Sequence, residues 1–486
     1  MDEDLPGKDL ISDFNFRMKQ IKSMIGDSAD FVIRELTIQR PILPPVRLAL
    51  FYFDGMIDKP TLQECVIPSI LNCGHRIEVD HSEVLSLIQH SIVDVSEVLM
   101  VDHWEKGIEA TLSGEVLLLW QGSQQGLCFS IPGWEDRGVT ESKTQSVVRG
   151  PQEAFSETLR TNTTLVRKRI KDPNVKLISK KAGSMTKTDI GVMYIQGLAE
   201  ENMLQTLLQL IEKYPLDRVL EGEYLEEWFL KDQTKTIFPT IYNTDKPDTI
   251  AGGLLDGKIA IFIDGTPFVL LVPALFVDFI QSAEDYYQPY LYSNAIRLLR
   301  YLALLICLLA PAIYITLTTF HQDMLPTHLL LSLAAQREGI PFPAFIEAVL
   351  MEVTFEILRE AGIRMPRTIG QAVSIVGTIV IGQAAVEANI VSAAMVIIVS
   401  ITAISSFVIP SYGMSIGLRM LRFAFMASAA SFGVYGITIA MIVLILHLNS
   451  LESFGIPYLS PSAPFHLQKQ KDAILRFPYW AFRNKN

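Results

Sequence analysis

The chain has 486 residues, 49% of them hydrophobic, and a formal net charge of −11. That acidic balance argues against nucleic-acid binding, which needs basic patches, while a mean hydropathy of +0.30 is high for a soluble protein. The apolar excess is uneven: residues 1–290 read as ordinary globular sequence with room for two small domains, and 298–448 are mostly apolar.

The start, Met1-Asp2-Glu3-Asp4, is acidic and has no apolar core, so it does not read as a signal peptide. Residues 1–30 read as a flexible N-terminus and 31–140 as a first subdomain. In it, 46–53 is an apolar strand closed by Asp54-Gly55, and 82–89 and 93–100 are short helices or strands. Residues 114–120 and 127–131 pair across 122–126, and a boundary falls near the polar run 135–145. A second subdomain, 141–290, opens at Arg149-Gly150-Pro151, with Pro151 suited to the first turn of a helix. Phe155, Leu159, Val166 and Ile170 share a helical face. Arg160, Arg167, Lys168, Arg169 and Lys171 lie opposite, open to water, lipid head groups or an acidic partner domain. A strand at 190–195, helices at 200–214 and 224–230, and a hairpin of 258–263 with 267–272 follow. Strands alternating with helices give an α+β cytoplasmic region of two small α/β subdomains.

From 291 to 448 the pattern is an all-α polytopic transmembrane domain. Four spans stand out at 298–320, 371–386, 389–410 and 421–446, with re-entrant or additional helices in 325–360. Pro311 lies inside the first span, where neighbours must satisfy the carbonyl it frees. Arg297 and Arg300 hold that end, and the preceding region, in the cytoplasm. The tail 449–486, with Lys469, Lys471, Arg476, Arg483 and Lys485, is basic and cytoplasmic, which requires an even number of crossings. A four-span count leaves Arg359, Arg364 and Arg367 on the wrong side; a fully inserted 343–360 helix would need one further crossing. Gly377, Gly382 and Gly433 are candidate packing glycines.

Chemistry-bearing motifs are scarce. No phosphate-binding loop, dinucleotide fingerprint, HExxH or nucleophile–base arrangement appears, which excludes the common enzyme classes and leaves no cofactor to expect. His321 and His328 have no carboxylate array beside them, and Cys65, Cys73, Cys128 and Cys307 form no CxxC pair. Asn162-Thr163-Thr164 matches a glycosylation sequon but falls in the cytoplasmic part. What remains is acids in an apolar setting: Glu347, Glu352, Glu356 and Glu387. Acids there mark function by default, because carboxylates lining a pore select cations. Alternatively they pair with Arg359, Arg364 or Arg367 and fix the packing.

These residues lie in stretches that resemble the A subunit of bacterial spore-germinant receptors, the GerA type. The matching stretches are 149–155, Asp285-Tyr286-Tyr287, Phe320-His321, Pro341-Phe342-Pro343, 347–362, 380–389 and 454–461. They run from about Arg149 to about Pro478, whereas the first 130 residues match in organisation only. The resemblance implies a nutrient-sensor subunit in the inner membrane of the spore, with N-terminal region and tail in the spore core. It implies a transporter-like B subunit and a lipoprotein C subunit as partners, and self-association into a ring forming a ligand-gated cation channel. Relatives without a nutrient-binding partner amplify an ion signal. A non-conducting scaffold is the competing reading. Glu347→Gln or Glu387→Gln would alter ion flux in a channel and leave flux intact, or abolish assembly, in a scaffold.

Overall fold

The computed structural model describes residues 14–25, 28–39, 45–73, 97–102, 104–121, 125–133, 147, 149–231, 235–366, 381–463 and 472–478. The chain divides into two compact units, 1–232 with 243–273, and 233–242 with 274–486.

The first unit contains two five-stranded sheets. In the first, β1 (Phe31–Ile38), β2 (Val46–Phe53), β3 (Val98–Val101), β4 (Glu115–Trp120) and β5 (Gly126–Ser130) lie in the order β1-β2-β4-β5-β3, all antiparallel. The interior strand β2 is buried on both faces from Leu48 to Phe53, which explains its unbroken apolar run there. Alternation along a strand divides its side chains. Leu48, Leu50, Leu118 and Trp120 face Val66 and Ile70. Ala49, Phe51, Phe53, Leu117 and Leu119 face helices α1 (Phe14–Ile25) and α2 (Trp104–Leu112). Burying each large side chain contributes about 1.5–3 kcal/mol.

The second sheet has β6 (Val175–Ala182), β7 (Thr188–Ile195), β8 (Tyr242–Thr244), β9 (Ile259–Ile263) and β10 (Val269–Val272) in the order β6-β7-β9-β10-β8. Helices α3 (Leu159–Arg169), α4 (Glu201–Glu212), α5 (Glu223–Phe229) and α6 (Pro247–Leu255) accompany it. The hairpin and the 46–53 strand lie where the sequence places them, whereas β1, β6, α2 and α6 are additional.

Two expectations for α3 need correction. Pro151 does not open this helix, which starts at Leu159 after Asp264 Oδ1 accepts the Leu159 N–H at 3.0 Å. Phe155 precedes the helix. The basic face is also not simply solvated. Arg167 is buried, 2.5 Å from Asp30, with its guanidinium 4.3 Å from the Phe53 ring centroid. Arg160 meets Asp54 at 2.7 Å. The acidic partner is thus the neighbouring sheet of the same chain, and these pairs join the two sheets. Asn162 is buried and bonded to Ser156 in both directions, so the sequon presents no surface.

The second unit is helical: α7 (Tyr290–Thr319), α8 (Thr327–Arg337), α9 (Ala344–Arg364), α10 (Gly382–Glu387), α11 (Ala393–Val408) and α12 (Tyr412–Ser450). A small β11 (Glu452–Ser453) and β12 (Ile456–Pro457) ribbon follows. Leu308, Ala312, Ile315, Ala348, Met395, Val399, Phe425 and Ala429 form its core. Among the described residues, α7 and, counted as one run through Gly433, α12 are long and apolar enough to cross a membrane. The segment expected as a span at 371–386 lies mostly outside the described residues, as do Gly377, Arg367 and the 135–145 linker.

Helix α12 is not one straight rod. Gly433 adopts φ 60°, ψ −138°, a non-helical conformation open chiefly to glycine. Beyond it the chain folds back, so that a Cβ at Gly436 would press on the Ser428 carbonyl. Both ends return to one strap of chain: Gly413 lies against Pro239 and Gly417 against the Ile237 carbonyl, while His447 Nε2 lies 3.0 Å from Thr236 Oγ1. The expected single span at 421–446 is therefore two antiparallel arms. Of 21 and 17 residues, they are about 31 and 25 Å long.

Candidate functional site

Helix α9 places three acids against arginines from other helices. Glu352 and Glu356 are four residues apart, hence about 40° apart around the axis. On the first arm of α12, Arg419 and Arg422 are three apart. Glu352 Oε2 accepts from Arg422 Nη1 at 2.5 Å, and Glu356 Oε2 from Arg419 Nη1 at 2.5 Å. Rising numbers on α9 meet falling numbers on α12, so the two rungs belong to antiparallel helices. The 352–422 pair is 1% exposed on both sides, whereas Glu356 keeps 32% of its surface.

Arg422 has a second function set by Pro311. Proline has no N–H, so the carbonyl of Cys307, four residues earlier, loses its helical donor. Arg422 Nε donates to that oxygen at 2.7 Å, and Nη2 lies 3.0 Å from Cys307 Sγ. A single guanidinium thus neutralises a buried acid and repairs the proline gap in α7.

Glu347 belongs to a different corner. It is fully buried, and its Oε2 accepts the Ser392 N–H at 3.0 Å. Ser392 caps α11 through the Met395 N–H, so the carboxylate sits at a helix N-terminus, where the dipole favours negative charge. Arg337 Nε lies 3.4 Å from Glu347 Oε1. Glu387 lies apart from the ladder, exposed at the end of α10 and bonded to Gln383 at 2.8 Å. Gly382 packs 3.7 Å from Val396 by its would-be Cβ, while Gly433 makes the fold-back.

Of the arginines expected as partners, the described Arg359 and Arg364 form no ion pair with these three acids. Arg359 stacks on Phe407 and Tyr412, 5.3 and 5.5 Å to the centroids, and Arg364 bonds Glu360 at 2.6 Å. The true partners are Arg337, Arg419 and Arg422. Starting the last span at 421 had left Arg419 outside it. The signal available was Ser411, which caps α12 at Met414 and carries the helix back to Tyr412.

A second charged cluster anchors the foot of α7. Asp285 accepts from Arg297 Nε at 3.0 Å and Arg300 Nη1 at 2.8 Å, and Arg297 Nη1 reaches Asp472 at 2.9 Å. Arg476 Nη1 donates to the Asp285 carbonyl at 2.5 Å. The sequence had offered Arg297 and Arg300 only as topology signals. Among the described residues no group of three or more His, Cys, Asp or Glu is arranged to hold a metal.

The sequence profile described as Bacillus/Clostridium GerA spore germination protein matches residues 19–486. The chain belongs to the GerA spore germination family. Spore germination protein KA of Bacillus subtilis (strain 168) is 46% identical over 462 residues, covering 95% of this chain and 84% of the relative. The uncharacterized membrane protein YfkQ of the same organism is 45% identical over 437 residues, covering 90% and 84%. The crystal structure of the N-terminal domain of the A subunit of the Bacillus megaterium spore germinant receptor GerK3 covers 55% of this chain and 97% of that domain. It is 34% identical, with a TM-score of 0.44. In this member of the GerA family, the α9 stretch that carried the resemblance is also the stretch that bears the ion-pair ladder.

Proposed function

We propose that this chain is the A-type membrane subunit of a nutrient receptor that triggers spore germination, and that it forms the gated cation path of an oligomeric ring. The family match along residues 19–486 carries the reading. In this reading the transporter-like B subunit takes up the nutrient signal, and a lipoprotein C subunit completes the receptor in the inner spore membrane.

The helices then cross six times. Helix α7 rises from the cytoplasm, and α9 returns with Arg359 and Arg364 on the cytoplasmic side. With the apolar sequence 371–386 counted as the rising span it is expected to be, α11 descends and the two arms of α12 add a last pair. Six is even, so the basic tail shares a side with the N-terminal region. The fold-back at Gly433 provides the extra crossing that an inserted α9 demands.

Glu347, Glu352 and Glu356 act here as gating charges. Each is held within one protomer, and an acid bound to an arginine is poorly available to a passing cation. Glu387, exposed, is the acid open to ions. Opening would loosen the 352–422 and 356–419 rungs, exchanging a buried pair for hydrated charges. The test uses spores in which this chain is the sole A-type subunit. Nutrient-triggered release of monovalent cations is expected, and E387Q should slow it while the subunit reaches the membrane at normal level. Release that ignores the presence of this chain would end the proposal.

A further inference from the structure

The two arms of α12 and the strap from Lys235 to Phe238 line an open pocket of about 670 Å³. That size is typical of sites that hold one small molecule. Its walls are apolar: Leu421, Phe425 and Phe432 from the first arm, Ile439, Val443 and Leu444 from the second. Apart from Ser428 near the turn, its polar residues gather at one end. There Lys235 is exposed and makes no ion pair among the described residues, beside the Thr236–His447 contact at 3.0 Å. From His447 to Gly436, next to the turn, is eleven residues of helix, about 16 Å.

We infer that this cavity is a binding site for one acyl chain of an anionic phospholipid, with the head group on Lys235 at the cytoplasmic face. The lining is mostly apolar and runs from the turn beside Gly436 to the cation Lys235. No carboxylate lines it. A zwitterionic nutrient would therefore bury an ammonium group with no countercharge, which is costly. A basic residue at the cytoplasmic surface attracts anionic lipid. The site rests on the reading that α12 spans the bilayer, and it adds that the fold-back is completed by lipid.

The test places the full chain in nanodiscs of phosphatidylcholine containing a trace of phosphatidylglycerol with a diazirine at the end of one acyl chain. After photolysis, label is expected on Phe425, Phe432 and Val443, about fivefold above the same probe with a choline head group. K235E should reduce the anionic probe to the choline level. A440F, which fills the cavity, should remove label from both probes while outward-facing Ile442 and Ile445 stay labelled. Should A440F fail to insert, K235E decides alone, because Lys235 is exposed. Equal labelling by both head groups overturns the inference. So does label that K235E leaves unchanged, stronger labelling by diazirine-bearing myristate, or a cross-link from the cavity to a second copy. A chain that never enters the disc overturns the spanning reading itself, an outcome separate from entry without head-group preference.

Discussion

Arg422 answers two needs created elsewhere in the sequence, the charge of Glu352 and the carbonyl that Pro311 strands. Removing one member of a buried pair leaves the other uncompensated, so R422M is expected to lower stability by about 3–5 kcal/mol. The double variant E352L/R422M should recover most of that loss, as measured by thermal unfolding in detergent. A double variant as unstable as R422M would mean that the Cys307 carbonyl bond, not the ion pair, dominates. Glu226 offers a residue-scale test in the first unit. Burial, then Glu223 and Glu221, raise its pKa from 4.5 to about 8, against a bond from Asn243. Its folded-state pKa lies above the unfolded value, so its stabilising contribution is full below pH 4.5 and is lost as pH rises through about 8. The melting temperature of this unit should therefore fall over that interval, and E226Q should flatten the fall. An identical pH profile in E226Q would show the carboxyl to be solvated.

At the level of elements, Gly433 and Gly382 looked alike in sequence, both small residues in apolar helices. The structure separates them. A side chain at Gly433 would sit at positive φ, 2.9 Å from His321 Cε1, whereas one at Gly382 meets only ordinary contact with Val396. G433A is thus expected to cost about 1–3 kcal/mol, and G382A to change the melting temperature little. Equal effects would contradict the fold-back. Strands such as β2 and β9–β10 were legible because apolar runs bounded by turn residues leave few options. The fold-back was not, because Gly433 sits amid apolar sequence with no polar break, and hydropathy averages across it. The α3 arginines were legible as a basic face but not as a joint. Their acids, Asp30 and Asp54, lie more than a hundred residues earlier, and sequence pattern does not reveal such distant pairing.

For the whole molecule, the acids of α9 were legible as unusual and their partners were not. A buried carboxylate requires a cation, but only the antiparallel packing of α9 on α12 selects Arg422 over the sequence-local Arg359. That packing also turns the reading from acids facing ions to acids held by arginines until the subunit opens. The most direct test measures monovalent cation release from spores carrying this chain as their sole A-type subunit, with rungs broken and then reversed. Breaking a rung with R419Q should give release without nutrient, and the swap E356R/R419E should restore the requirement for it, at equal membrane levels of each protein. Nutrient-dependent release unchanged by R419Q, or a swap no better than the single variant, would contradict the account.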